Sequence, residues 1–196
     1  MRLLPFLLLV ACSGATTGFT LPDLFPGDTD DDVPPDDTED TDGATPAERG
    51  LVINEFVASN ESGATDEAGE FDDWVELYNA GDAEVNLDGW ELADSGGQGF
   101  ELPVRTLAAG AHLLVWCDSQ PDQGPLHATF NLGRGGDALV LTAPDGDLAD
   151  RVTWGNLDTG GAGLPEQTTD VSSARLPDGG PWGEDTTPTP GAPNDG

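Results

Sequence analysis

The sequence predicts an all-β domain, a sandwich or a barrel, over residues 50–196. Three observations predict it. From Gly50 onward the large apolar residues recur with a period of two. The runs are short, and clusters rich in turn formers separate them, among them Asn79-Ala80-Gly81-Asp82, Asp88-Gly89 and Pro144-Asp145-Gly146. No stretch of ten or more residues carries an amphipathic helical stripe.

Taken in order, each run gives one strand. The first is expected over 51–58, with Val52 and Phe56 facing the core. The second, over 73–79, puts Val75 and Leu77 on the core side and Trp74, Glu76 and Tyr78 on the other, so Glu76 projects away from the core. Shorter strands over 84–87, 90–93 and 99–102 add Leu87, Trp90 and Leu92. A run over 112–117 supplies Leu113 and Val115. Cys117 at its end reads as a small buried hydrophobe, because no recognised spacing links it to His112 or His127 as a nucleophile. Strands over 128–131, 138–142 and 148–154 bring Leu139, Leu141, Val152 and Trp154, and a last strand is expected over 173–176. Trp74, Trp90, Trp116, Trp154 and Trp182 read as packing residues rather than a ligand platform. A domain of ~150 residues buries roughly 68–70 % of its unfolded surface, enough for a real core.

Charge divides the chain. Its 196 residues carry 38 acids against 6 arginines and no lysine, a net −32. Such a chain repels phosphate backbones, which excludes nucleic acid as a partner. Two cysteines and two histidines cannot build a Cys/His zinc site. Eleven of the acids and one Arg fall in 13–49, and 27 acids and four Arg in 50–196.

Residues 1–11 read as a secretory signal: Arg2, then an apolar run too short to span a bilayer, which needs roughly 20 residues. Leu9-Val10-Ala11-Cys12 resembles the bacterial lipobox. That resemblance implies cleavage after Ala11, lipidation at Cys12 and a membrane anchor. Ser13 stands where an Asp would retain the protein at the inner membrane, so the expected location is the cell envelope, at the outer membrane. Residues 12–49 are acid-, Thr- and Pro-rich and are expected to form a disordered, self-repelling linker. Asp28-Thr29-Asp30-Asp31-Asp32 begins like an EF-hand loop, but Val33 stands where that loop needs its glycine.

One cluster invites chemistry. Residues 55–76 hold eight acids and no Lys or Arg. Hard oxygen donors on one loop suit Ca²⁺, with Asp66, Glu70, Asp73 and Glu76 as candidate ligands. The bland alternative is a solvated acidic loop. Paired carboxylates also raise a hydrolase reading, but no spacing identifies an acid–base pair, and no Ser-His-Asp order or P-loop appears.

Several pieces taken together carry a family resemblance. They are Leu51-Val52-Ile53-Asn54-Glu55-Phe56, Asp73-Trp74-Val75-Glu76-Leu77-Tyr78-Asn79, Leu87-Asp88-Gly89-Trp90-Glu91-Leu92, Ser173-Ala174-Arg175-Leu176-Pro177-Asp178-Gly179 and Thr189-Pro190-Gly191-Ala192-Pro193-Asn194. In this order they resemble the lamin tail domain in its bacterial form, across nearly all of 50–196. The resemblance implies an immunoglobulin-like β-sandwich, in bacteria attached to secreted or membrane-anchored proteins and sometimes to nucleases or other hydrolases. The length leaves no room for such a second catalytic domain. The expected protein is therefore a lipoprotein that displays a non-catalytic binding or structural module to an unknown protein or envelope partner. A calcium-stabilised adhesion domain is the alternative, and a carboxylate hydrolase the distant one.

Overall fold

The computed structural model describes residues 50–157 and 163–195. The signal 1–11, Cys12 and the linker 12–49 lie outside the described residues. All regular structure among the described residues is β. Eleven strands follow in order: β1 Leu51–Val57, β2 Trp74–Asn79, β3 Val85–Asn86, β4 Glu91–Asp94, β5 Gly99–Glu101, β6 Thr106–Leu107, β7 His112–Trp116, β8 Gly136–Thr142, β9 Leu148–Gly155, β10 Ser172–Arg175 and β11 Trp182–Asp185.

Two antiparallel sheets pack face to face, which makes the fold a sandwich. One has five strands in the order β11-β10-β1-β2-β7, the other four in the order β5-β4-β8-β9, and β3 and β6 form a two-stranded ribbon. The core between them contains Phe56, Val75, Leu77, Leu92, Val115, Leu139, Leu141 and Trp154. Cys117 belongs to it and is 1 % exposed. The Phe56 and Trp154 rings meet at 4.4 Å across the two sheets.

Three sequence expectations need correction. Val52 is buried but lies outside the core cluster, whereas Leu51 and Ile53 belong to it. The register of β1 on β2 shifts between Ile53 and Glu55, so Asn54 is an inserted bulge residue. The bulge reverses the alternation, and Leu51, Ile53 and Phe56 all face inward. Residues 128–131 form no strand. Ala128 and Phe130 are buried beside the single bridges Trp116–His127 and Asp118–Asn131. The two-residue β6 and the C-terminal β11 had no counterpart among the expected strands, and Trp182 on β11 packs its ring on Phe56 at 5.8 Å.

Gly155 shows why glycine ends β9. Its φ is +65°, and a Cβ there would run into the Gly135 carbonyl.

Candidate functional site

The polar motif residues converge on the outer face of the five-stranded sheet. Alternation places Glu55 on β1 and Glu76 on β2 on that face, directly paired across the strands. Neither is exposed, because the segment after β11 lies over them. Thr189 donates from its backbone N to Glu55 at 3.2 Å and Gly191 N to Glu76 Oε2 at 2.6 Å. Ser172 Oγ donates to Glu55 Oε1 at 2.6 Å, and Asn54 Nδ2 to Glu76 Oε1 at 3.1 Å. The bulge residue Asn54 is the hub. Its Nδ2 also donates to Asp178 Oδ1, its Oδ1 accepts from Gly179 N, and its carbonyl accepts from Asn194 Nδ2. His112 Nε2 stands 3.1 Å from Asp178 Oδ2 at the margin.

Burial is the dominant influence on both glutamates. It pushes the Glu76 carboxyl from 4.5 up to about 7, against the hydrogen bonds from Asn54 and Gly191. Glu55 is pushed up by burial as well, opposed by Ser172 and Thr189. Every Glu76 oxygen is engaged by the protein itself, and the segment after β11 covers the pair. That arrangement fastens a C-terminal segment to a sheet.

Arg175 performs the matching task between the sheets. Its Nη2 meets both oxygens of Asp150 on β9, at 3.2 and 3.0 Å, and its Nε donates to Ile53 O at 2.8 Å. Asp150 Oδ2 in turn accepts from Ile53 N at 2.9 Å. The guanidinium lies 4.7 Å from the Trp182 ring. The sequence signal was present, since this is one of only four arginines in 50–196, but its partner lies far away along the chain.

The acidic loop between β1 and β2 separates the four candidate calcium ligands. Asp66 and Glu70 come together with Asp72, each offering a carboxylate oxygen within 4.8 Å of the others. A second group joins carboxylate oxygens of Asp66 and Asp118 with a ring nitrogen of His127. The loop turns tightly here, with Glu70 N donating to Asp66 Oδ1 at 2.7 Å and Gly69 at a φ of +84°. Asp73 is used elsewhere: it accepts from Asn60 N at 3.2 Å, and burial raises it to about 6. Glu76 lies in the network under the C-terminal segment. Asp72 was among the eight acids counted in 55–76 but not among the candidate ligands, and Asp118 and His127 escaped the sequence reading because they come from the segment after β7.

A cavity of about 300 Å³ opens beside the loop, lined by Val57, Ala64, Trp74, Pro188 and Pro190, with Asn60, Gly63 and Asp170. Asp170, at a φ of 58°, holds its rim by accepting from Glu61 N, Ser62 N and Ser62 Oγ. Those bonds keep its carboxyl below the ordinary value.

The family model for the lamin tail domain matches residues 44–156. The chain belongs to the lamin tail domain family. The immunoglobulin-like sandwich expected from the resemblance is the one described above. No curated protein matches the chain. The structure carries the lamin tail sheet beyond the matched span, since β10 pairs with β1 and β11 with β10. Glu55 and Glu76, inside the match, are covered by Thr189 and Gly191, outside it.

Proposed function

We propose that this lamin tail protein is a bacterial envelope lipoprotein, held by lipid on Cys12 and displaying its sandwich on the acidic linker 12–49 as a non-catalytic binding or structural module. One observation carries the non-catalytic part. The paired buried glutamates are bonded to Ser172, Asn54, Thr189 and Gly191 beneath a covering segment. A general acid must reach the proton it transfers, directly or through one water. The anchor rests on the lipobox-like Leu9-Val10-Ala11-Cys12. A self-repelling linker of this composition holds the module clear of the headgroups. The partner is a protein or envelope component, and the Trp74 cavity is the concave surface offered to it.

Fractionation of cells producing the wild type and Cys12→Ser tests the reading. The wild type is expected in the membrane fraction and the variant in the soluble fraction. Equal distribution of the two would refute the anchor. Hydrolysis of polysaccharide or phosphoester substrates that disappears in Glu76→Gln would refute the non-catalytic role.

A further inference from the structure

Acidic residues crowd this surface, so a cluster by itself identifies nothing. The group at Asp66 is distinguished by what its oxygens lack. Asp66 is 8 % exposed, and its Oδ1 accepts from Glu70 N. Its Oδ2 is buried and meets no hydrogen-bond donor among the described residues. Asp72 Oδ2 is in the same condition. Buried polar atoms are almost always satisfied, and burying a charged one unpaired is costly. Both residues belong to a single triad with Glu70, in which each offers a carboxylate oxygen within 4.8 Å of the others. A bound cation would answer all of these together.

His127 decides the class of cation. Its Nδ1 stands 2.5 Å from Asp118 Oδ2 and its Nε2 3.3 Å from Glu67 Oε2. Both ring nitrogens face carboxylates, and the triad of Asp66, Glu70 and Asp72 offers oxygens alone. The donors that remain are oxygens.

We infer that Asp66, Glu70 and Asp72 form a calcium-class cation site, with Asp118, from the segment after β7, standing beside Asp66. Calcium takes 6–8 oxygens at about 2.3–2.6 Å in flexible geometry, so these carboxylates with water fill its shell. Its affinity belongs with extracellular modules, at about 10⁻⁴–10⁻³ M. The site clamps the β1–β2 loop to the far side of β7, where Gln123 Nε2 already donates to Glu70 Oε2 at 2.8 Å. It goes beyond the anchored-module reading and does not depend on the lipid.

The test is calorimetric titration and thermal melting of the chelator-treated full chain with CaCl₂, MgCl₂ and ZnCl₂. Calcium is expected to give one saturable event and to raise Tm by about 5–10 °C at a hundredfold excess over Kd. Asp66→Asn and Asp72→Asn are each expected to weaken that event at least tenfold, while the exposed control Glu101→Gln leaves it unchanged. Without calcium, both variants should melt no lower than the wild type, because each relieves repulsion. No saturable calcium event, or the same event in both variants, would overturn the site. Equal Tm gains from NaCl or MgCl₂ would reduce it to screening. A response to zinc and not calcium would overturn the calcium class.

Discussion

Glu76 is a carboxylate with no exposure, held at a pKa of about 7 by burial. A carboxyl raised above its ordinary 4.5 takes up its proton in the folded state before the unfolded chain does. Its contribution to stability is therefore complete at low pH and is lost as pH rises through about 7. Asp73, raised to about 6, acts in the same direction, and so does Glu55. His127, also raised, loses its contribution as pH rises through its folded value. The domain is thus expected to melt several degrees higher at pH 5 than at pH 8, with Glu76 supplying about 2 kcal/mol of the difference. Glu76→Gln should flatten that dependence in melts across the range. Arg175 gives a second residue-scale expectation. Arg175→Ala leaves Asp150, 5 % exposed, without its cation, and should lower stability by about 3 kcal/mol in denaturant unfolding. Lysine cannot reproduce the two-oxygen contact, so Arg175→Lys should recover only part of the loss. At this scale strand alternation told the sequence reader most: it put Val75 and Leu77 in the core and Glu76 on the opposite face. It erred at Val52 because one inserted residue, Asn54, inverts a period of two.

Among the elements, the C-terminal segment acts through side-chain and backbone bonds rather than a ladder. It forms no strand after β11, yet Thr189, Gly191 and Asn194 close the network over β1 and β2. A chain ending after Asp185 would return water to Glu55 and Glu76. Such a truncation is expected to lower Tm and also to weaken the pH dependence between 5 and 8, which circular dichroism melts would register. A lower Tm with an unchanged pH dependence would mean that the segment does not desolvate the glutamates. The longer strands could be read because four or more residues show a period. The two residues of β6 cannot show one. Residues 128–131 do alternate, with Ala128 and Phe130 buried, but this is a loop crossing the core's edge and pairing only through single bridges. Alternating burial is necessary for a half-buried strand and does not establish a ladder.

For the whole molecule, the net −32 is a load on the compact state. Screening relieves it, so raising NaCl from about 10 to 500 mM should raise Tm by a few degrees, gradually and without saturation. That gradual rise is the baseline against which a saturable calcium effect is recognised. The fold could be read from the sequence because most of its runs and turns from Gly50 onward agree with one sandwich. The candidate site could be read only in part. Asp66 and Glu70 were found on their loop, but Asp118 and His127 reach them through tertiary folding. Asp73 and Glu76 were included by proximity in sequence, and the structure engages them with Asn60, Asn54 and Gly191 instead. The central claim is a sandwich displayed from a lipid anchor, and the N-terminus tests it most directly. Mass spectrometry of the mature protein, isolated from envelopes, should find a chain beginning at Cys12 and carrying acyl groups. A mature chain that begins elsewhere, or an unmodified Cys12, would contradict it.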